Sequence, residues 1–392
     1  MASILISGVS PRLSQASLRC SSPSRLSSNH VLFDPQLRPL KQSNSQSCKK
    51  LLRFHSKFPS VTVASHSSAT SSSSLEIKNI VTGKVSNGEN LKANNVPWIG
   101  SYLPSPLQPY ARLARLDMPV GTWLVAWPYF WSIAMAAAPG NIPDLKVLAL
   151  FACWAFFLRG AGCTINDFLD RHFDKMVERT KFRPLASGEL TPFQGLCFLG
   201  FQLLLVVCVG ILLQLDNLGW TLGAITLFLV FTYPLMKRIT YWPQAYLGLV
   251  INFGTLLGWQ AVKGTLDLAI LLPLYVSGIF WTLVYDTIYA HQDKKDDIKA
   301  GVKSTALLFG DSTKKWIAGF GLTSIGCLAL SGLNANIGWP YYAFLTAASG
   351  QLAWQVLTAE LSSPTDCGNK FDTNKWFGAL IFGGIVAGRL IS

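Results

Sequence analysis

The segment that decides the fold runs from residue 145 to residue 174 and reads LKVLALFACWAFFLRGAGCTINDFLDRHFD. Its first part, 145–165, is apolar except for Lys146 and Arg159, and a helix needs about 20 apolar residues to cross the hydrocarbon layer of a membrane. The rest of the segment contains three aspartates. This change from an apolar run to an acidic stretch predicts a membrane helix that ends in a polar site at the membrane surface.

The composition of the whole chain agrees with a membrane protein. Half of the 392 residues are hydrophobic and only 14% are charged, a balance that is too apolar for a typical soluble domain. Nine apolar runs have the length of a membrane span. The sequence therefore predicts an all-α integral membrane protein with nine transmembrane helices. The predicted spans are 119–138, 145–165, 193–213, 217–236, 241–262, 269–290, 316–334, 338–358 and 375–391.

The basic residues between these spans separate onto two faces. The loops after spans 2, 4, 6 and 8 hold fifteen Lys and Arg residues, whereas the opposite loops hold only Lys146 and Lys263. The positive-inside rule then places the N-terminus on the basic face, which in a mitochondrion is the matrix face. The fifteen residues are Arg171, Lys175, Arg179, Lys181, Arg183, Lys237, Arg238, Lys294, Lys295, Lys299, Lys303, Lys314, Lys315, Lys370 and Lys375.

The N-terminal segment has a different composition from the rest of the chain. Residues 1–75 hold nine basic residues and one acid, Asp34, which gives +8 of the net charge of +13 and leaves +5 for the remainder. The segment is rich in serine and lacks a continuous apolar core, as in a mitochondrial or chloroplast transit peptide; a disordered basic tail is the alternative. We expect a linker at 76–104 and the membrane domain at 105–392. Concentration of the positive charge in this leader argues against nucleic-acid binding.

A second acidic stretch follows span 6, four spans after the first. It runs from Asp286 to Asp297, and both stretches lie on the predicted basic face. This placement predicts two four-helix pseudo-repeats plus one further helix, arranged so that the two acidic stretches face each other across a central cavity. The eight cysteines have no metal-ligand spacing, and we assign them no role.

The spacing of the acidic residues predicts a metal site. Carboxylates three or four residues apart on a helix repel each other unless a cation lies between them. All the donors are oxygens, and Mg²⁺ prefers one or two carboxylates together with water and substrate phosphate. Solvated helix ends paired with Arg or Lys are the alternative interpretation. The candidate ligands are Asn166, Asp167, Asp170, Asp174, Asp293 and Asp297.

Basic side chains near these carboxylates predict that the substrate is a diphosphate, because they neutralise phosphate oxygens that a metal does not reach. Arg159 lies inside a span, where a charge usually marks a functional site; its expected partner is an anionic substrate group such as an aromatic carboxylate, unless it reaches back to the interface. The candidate diphosphate-binding residues are Arg179, Lys181, Arg183, Lys237, Arg238 and Lys294.

These features predict the reaction. Mg²⁺ makes the diphosphate a better leaving group, so an allylic C–O bond breaks toward a carbocation that alkylates an electron-rich ring. Asp286, beside Tyr285 and Tyr289, is the candidate for orienting or deprotonating a phenol. With Arg159, these residues are the candidate catalytic group.

Three stretches resemble the UbiA-type intramembrane prenyltransferases: RGAGCTINDFLDRHFD at 159–174 with ERTKFRPLASG at 178–188, YPLMKR at 233–238, and YDTIYAHQDKKDDIKAGVKST at 285–305. The sequence is similar in particular to the branch that prenylates 4-hydroxybenzoate, over roughly residues 105–392. This resemblance implies a nine-helix bundle around a cavity in the lipid bilayer. It also implies Mg²⁺ and a polyprenyl diphosphate held by two aspartate motifs. The implied motif residues are Asn166, Asp170, Asp174, Asp286, Asp293 and Asp297.

The resemblance further implies prenylation ortho to the phenolic hydroxyl of 4-hydroxybenzoate, a step of ubiquinone synthesis in the mitochondrial inner membrane. It leaves open whether Asp296 or Asp297 is a ligand. Another acceptor such as homogentisate, in a plastid, and a short geranyl donor are rival interpretations within the family. A secondary transporter is the rival from another class, but its ionisable sites would be expected near the midplane rather than at one face.

Overall fold

The computed structural model of the protein describes residues 97–392. The predicted transit segment 1–75 and residues 76–96 of the predicted linker lie outside the described residues. Within 97–392 the chain forms fifteen α-helices and no strand. In chain order these are α1 (Pro97–Tyr102), α2 (Gln108–Leu113), α3 (Val120–Ala136), α4 (Leu145–Asp174), α5 (Pro184–Ser187), α6 (Pro192–Leu212), α7 (Asn217–Ile239), α8 (Pro243–Asn252), α9 (Gly254–Lys263), α10 (Leu268–Ala290), α11 (Lys294–Ala300), α12 (Thr305–Phe309), α13 (Thr313–Asn334), α14 (Pro340–Thr358) and α15 (Pro364–Leu390).

Eight long helices and the pair α8/α9 coincide with the nine predicted spans. In the described part of the chain, six helical segments are long and apolar enough to cross a membrane. The other three long helices are α3, which has only 17 residues, α14 and α15. The all-helical membrane class is therefore confirmed. The six segments are Leu145–Asp174, Pro192–Leu212, Asn217–Ile239, Pro243–Lys263, Leu268–Ala290 and Thr305–Asn334.

Local sequence signals set the helix ends. Thr191 and Gln194 form a reciprocal capping box at the start of α6, with Pro192 in the first turn where its missing N–H matters least. Asp216 accepts a hydrogen bond from the Gly219 N–H at the start of α7. These side chains satisfy backbone donors that have no partner inside the helix.

Two helices differ from the predicted spans. The predicted span 241–262 is interrupted at Phe253, where α8 ends and α9 begins. The last helix starts at Pro364 instead of residue 375, because the polar residues that precede the apolar run are also helical; Ser363 caps them by accepting from the Asp366 N–H. Hydropathy detects where a helix enters apolar surroundings, whereas hydrogen bonding decides where the helix begins.

The helices form one bundle in which small residues permit close contacts. Helix α3 contacts α4, α9 and α15, while α10 contacts α8, α13 and α15. A Cβ added at Gly378 would lie 2.1 Å from the Trp127 ring, and one at Gly278 would lie 1.9 Å from Asn252 Oδ1. Large side chains at these two glycines would therefore separate the helices, as expected for bundles that associate through close van der Waals contact in lipid.

Arg389 joins the ends of three helices on the side of the bundle where α3 and α13 end. Its guanidinium donates to the carbonyl oxygen of Met135 through Nε, at 3.1 Å, and through Nη2. Nη1 donates to the Ala335 carbonyl at 3.0 Å, and the whole residue is only 7% exposed. Two carbonyls that α3 and α13 leave without helical partners are thereby satisfied by one side chain.

The change Arg389→Leu is expected to lower the free energy of unfolding by about 2–4 kcal/mol, because it leaves buried carbonyls without donors. The midpoint of thermal unfolding in detergent, followed by tryptophan fluorescence, measures this loss. Lys146→Ala removes an exposed cation at the start of α4 and should stay within about 0.5 kcal/mol of the wild-type protein. An unchanged midpoint for the leucine variant would contradict the assigned role.

Candidate active site

A cavity of about 330 Å³ opens among α3, α4, α7, α8 and α10. Part of its wall is apolar, and its polar residues come from both acidic stretches and from the basic segments that follow them. A smaller cleft of about 70 Å³ shares five charged lining residues with it. The charged residues that line both spaces are Arg179, Arg183, Lys237, Asp293 and Asp297.

The first acidic stretch reaches this site because α4 continues for two turns beyond its apolar part. Asn166 and Asp167 line the cavity, and Asp170 and Asp174 line the smaller cleft. All four residues belong to the single helix Leu145–Asp174, as the spacing of the acidic residues indicated. Because Asp293 lines the same cleft as Asp170, the two acidic stretches do meet on one side of the bundle.

The second acidic stretch is divided between two helices. Asp286 lies in α10, whereas Asp293 precedes α11 and Asp297 lies in its first turn. Asp296 does not line the site; its Oδ1 accepts from Lys299 Nζ at 3.1 Å, and its Oδ2 accepts from the Glu178 N–H at 3.4 Å. The structure thus separates the two adjacent aspartates, with Asp297 at the site and Asp296 on the surface.

The pKa values of these two neighbours move in opposite directions. Burial raises the pKa of Asp297 to about 7, and the nearby Asp293 carboxylate contributes to that rise. The hydrogen bond from Lys299 lowers the pKa of Asp296 below its usual value. Asp297 and Asp293 face the same cleft, and their mutual repulsion is an environment that favours a bound cation.

Basic side chains pair with the remaining carboxylates. Asp170 accepts from Arg238 Nη2 at 3.1 Å and from Lys237 Nζ at 3.4 Å. Arg179 donates through Nε to Asp293 Oδ1 at 2.9 Å. Within residues 97–392, no three His, Cys, Asp or Glu side chains come close enough together to hold a metal ion in this arrangement.

The candidate diphosphate-binding residues divide into two groups. Arg179, Arg183 and Lys237 line the cavity, and Arg238 lines only the smaller cleft. Lys181 pairs instead with Glu178 at 2.6 Å. Lys294 lines neither space.

The candidate catalytic residues all line the cavity. Neither the Arg159 guanidinium nor the Asp286 carboxylate has a hydrogen-bond or ion-pair partner among residues 97–392. A Cβ at Gly121 would clash with Arg159 Nε, so the glycine provides the space that this side chain occupies. Arg159 therefore lines the cavity together with Asp286, and these two side chains are available there to a ligand.

The two tyrosines beside Asp286 differ in their contacts. The Tyr285 hydroxyl donates to Thr282 Oγ1 at 3.3 Å, and the residue is 1% exposed. The Tyr289 hydroxyl accepts from Arg179 Nη1 at 3.2 Å, and the same guanidinium lies 5.4 Å from the centre of its ring. Tyr289 thus contacts the basic group that holds Asp293.

Sequence reasoning missed Arg115 and Phe371, which also line the cavity. The Phe371 ring centre lies 4.4 Å from that of Tyr289 and 5.6 Å from that of Tyr285. Arg115 donates to Asp167 at 2.7 Å. A charge immediately before a predicted span was an available signal for Arg115, whereas nothing in the sequence near Phe371 distinguishes it from other apolar residues of α15.

Comparison with known proteins agrees with this geometry. The model of the UbiA prenyltransferase family matches residues 125–381. A mitochondrial 4-hydroxybenzoate polyprenyltransferase of Arabidopsis thaliana is 62% identical over 79% of this chain and 77% of its own. A 4-hydroxybenzoate geranyltransferase 2 of Lithospermum erythrorhizon is 59% identical over 76% of this chain and 96% of its own.

A solved structure has the same fold at much lower sequence identity. It is that of a UbiA homolog from Archaeoglobus fulgidus bound to GPP and Mg²⁺, with a TM-score of 0.51 and 17% identity, and the match covers 72% of this chain and 99% of that one. The family match extends over more than half of the chain, and the long helices, the cavity and the two acidic stretches all fall within it or at its border. This chain is a member of the UbiA prenyltransferase family.

Proposed function

We propose that this protein transfers a polyprenyl chain from a polyprenyl diphosphate to 4-hydroxybenzoate, forming a C–C bond ortho to the phenolic hydroxyl, as a step of ubiquinone biosynthesis. One observation carries the proposal: Arg159 and Asp286, which have no hydrogen-bond or ion-pair partner among residues 97–392, line a cavity that is also lined by residues of both acidic stretches and by several basic side chains. A ring that bears a carboxylate and a phenol complements this pair. The identity of 62% to a named 4-hydroxybenzoate polyprenyltransferase supports the same acceptor.

The residues at the site fit a divalent cation. The donors are carboxylate and amide oxygens, and burial together with the nearby Asp293 carboxylate raises the pKa of Asp297, an environment in which a cation would stabilise the ionised form. The homolog of the same fold that was solved with Mg²⁺ supports this choice. When bound, Mg²⁺ would neutralise the diphosphate and make it a better leaving group. The residues that would hold the ion are Asn166, Asp170, Asp174, Asp293 and Asp297.

The chain's own cations would bind the diphosphate directly. Arg179, Arg183 and Lys237 line the cavity beside the acidic groups, and guanidinium groups form paired hydrogen bonds with phosphate oxygens. Each of these cations is held by a carboxylate of the site, so its position is defined before substrate arrives.

The acceptor would lie deeper in the cavity. Arg159 would bind its carboxylate, and Asp286 would orient the phenol and accept the proton lost on alkylation. Tyr285, Tyr289 and Phe371 form an aromatic wall beside Asp286, which suits a flat ring and an allylic cation. The apolar surroundings exclude water that would otherwise quench that cation.

The proposal includes the arrangement in the membrane. Nine helices would cross it, because α3, α14 and α15 pack within the same bundle as the six apolar segments. Helices α4 and α10 would then occupy equivalent places in two four-helix halves, followed by one further helix. Residues 1–75 would be a mitochondrial transit peptide, 76–104 a linker and 105–392 the membrane domain. The site would face the matrix side of the inner membrane.

A shorter donor is the second candidate, and a specific observation favours it. A 4-hydroxybenzoate geranyltransferase is 59% identical to this chain. Incubating membranes that contain the protein with radiolabelled 4-hydroxybenzoate, Mg²⁺ and diphosphates of several chain lengths distinguishes the donors. The preferred length is the one with the highest kcat/KM.

The same assay tests the other interpretations. We expect a labelled prenyl product that disappears when EDTA removes Mg²⁺. A preference for homogentisate over 4-hydroxybenzoate would support the rival interpretation, a plastid enzyme that prenylates homogentisate. Accumulation of 4-hydroxybenzoate in sealed vesicles without any product would indicate a transporter, and would contradict the proposed function.

Binding of Mg²⁺ is expected to depend on pH through Asp297. With its pKa near 7, this carboxyl is mostly protonated at about pH 6 and mostly ionised at about pH 8, and only the ionised form binds a cation. The Mg²⁺ concentration for half-maximal prenyl transfer should therefore fall as the pH rises through this range, by up to about tenfold per pH unit below the pKa.

Two matched variants check this dependence. Asp297→Asn should weaken Mg²⁺ binding and flatten the pH profile. Asp296→Asn changes the adjacent carboxylate, which lies outside the site with a lowered pKa, and should keep the wild-type profile. If Asp296→Asn weakened Mg²⁺ binding and flattened the pH profile while Asp297→Asn did not, Asp296 would be the metal-binding residue.

A further inference from the structure

Asp167 differs from the other carboxylates of the site in being bound by two arginines. Arg115 Nη2 donates to both of its oxygens, at 2.7 and 2.9 Å, and Arg183 Nη1 lies 3.1 Å from Oδ1. The Asp167 side chain is 1% exposed, whereas those of Asp170 and Asp174 are each 9% exposed. Its two oxygens are therefore occupied and shielded.

The two arginines reach Asp167 from opposite directions along the chain. Arg115 belongs to the segment between α2 and α3, and Arg183 lies in the loop after α4, directly before α5. Both line the cavity. Asp167 consequently joins the segment between α2 and α3, helix α4, and the loop between α4 and α5 at the cavity wall.

Arg115 occupies the left-handed position of the Schellman motif that ends α2, in which the Leu116 N–H donates to the Ala111 carbonyl at 3.0 Å and the Arg115 N–H to the Arg112 carbonyl at 3.1 Å. Its φ of 57° is in the left-handed region, which glycine adopts freely and which L residues other than asparagine and aspartate rarely adopt. Its Nη1 also donates to the Arg112 carbonyl at 2.9 Å.

We propose that Asp167 is not a metal ligand but a positioning residue, which fixes the guanidinium groups of Arg115 and Arg183 at the cavity wall so that they bind the diphosphate. This inference rests on the proposed function and deepens it. Asp167 then holds arginines without binding the metal, whereas Asp170 and Asp174, which accept from Arg238 and Arg183, remain the metal-binding carboxylates of the first acidic stretch. Arg115 becomes a diphosphate-binding residue supplied by the segment before the first long helix.

The experiment measures metal and diphosphate binding separately, in the purified full-length protein. Mn²⁺ alone is titrated by electron paramagnetic resonance, and inorganic pyrophosphate is titrated by calorimetry at saturating Mg²⁺. The variants are Asp167→Asn, Arg115→Gly, the double variant of both, and Asp170→Asn for comparison. Glycine at 115 adopts the positive φ without strain, so this change removes the guanidinium and spares the backbone.

We expect Asp167→Asn and Arg115→Gly each to weaken pyrophosphate binding by about tenfold or more while Mn²⁺ affinity stays within about twofold of wild type. The double variant should bind pyrophosphate no more than about twofold weaker than the weaker single variant, because the two residues act as a unit. Asp170→Asn should weaken Mn²⁺ binding by about tenfold or more.

Three results would overturn the inference: loss of Mn²⁺ affinity in Asp167→Asn as large as in Asp170→Asn, additive losses in the double variant, or unchanged pyrophosphate binding in Arg115→Gly. If Asp167→Asn does not fold, the pyrophosphate and Mn²⁺ affinities of Arg115→Gly alone test the inference. In prenyl-transfer assays both changes should raise the KM of the donor more than they lower kcat. A wild-type protein that binds pyrophosphate but makes no prenylated product would refute the proposed function. The difference between the Mn²⁺ and pyrophosphate affinities of the variants would still decide the role of Asp167.

Discussion

Replacing Asp286 by asparagine is expected to lower kcat for prenyl transfer by about 10²- to 10⁴-fold, the usual contribution of a positioned general base. Asparagine has nearly the same shape but cannot accept the proton that the alkylated ring must lose. The KM values of both substrates should change much less than kcat, since the diphosphate and the acceptor carboxylate are bound by other groups. Initial rates at saturating Mg²⁺, with each substrate varied in turn, provide the measurement.

The position of Asp286 explains why so large an effect is expected. It lies one turn before the end of α10 and lines the cavity, and no side chain or backbone group of residues 97–392 forms a hydrogen bond with its carboxylate. Lys237 and Arg179 are the cations that act on it from a distance, and both are engaged with other aspartates. A carboxylate without a structural partner in such a place is available for chemistry with a ligand.

A matched control separates this role from a general effect of charge. Asp372→Asn removes an exposed carboxylate from α15, next to the cavity residue Phe371, and should retain the wild-type kcat. If Asp286→Asn were as active as Asp372→Asn, the proton would have to leave by another route, and the assignment of Asp286 would be wrong.

Much of the fold was predictable because hydrophobicity and charge act over whole helices. The nine predicted spans coincide with nine helical segments of the described chain, since an apolar run of membrane length has few alternatives to a helix. The interruption at Phe253 was not predictable, because the Phe253 backbone remains in the right-handed helical region and residues 244–263 contain no proline.

The site was predictable to the extent that its residues are adjacent in sequence. The spacing of Asp170 and Asp174 on one helix indicates their common location, and the intramembrane position of Arg159 marks it as unusual. Phe371 comes from the last helix and Arg115 from the segment before α3. Their participation depends on how distant helices assemble, and this information is not present in the local sequence.

Replacing Arg159 by methionine is expected to weaken apparent binding of the acceptor, raising its KM by about 10²-fold, since hydrogen bonds to charged groups contribute about 1.5–3 kcal/mol each. The KM of the diphosphate donor should change little, because Arg179, Arg183 and Lys237 remain. Unlike most losses of function, this one should not lower the midpoint of thermal unfolding. A charge inside a membrane helix that has no ion-pair partner among the described residues 97–392 is costly, and methionine fills similar space without that cost.

The acceptor itself provides the most specific measurement. The wild-type protein should discriminate strongly against methyl 4-hydroxybenzoate, which keeps the phenol but lacks the anionic carboxylate, and Arg159→Met should lose this discrimination. Arg171→Met removes another arginine of α4, one whose Nη1 donates to the Phe168 carbonyl at 3.2 Å, and should leave the preference intact. Equal discrimination by Arg159→Met and the wild-type protein would mean that a different group recognises the carboxylate. If discrimination is lost while unfolding is unchanged, the buried charge serves substrate recognition rather than stability.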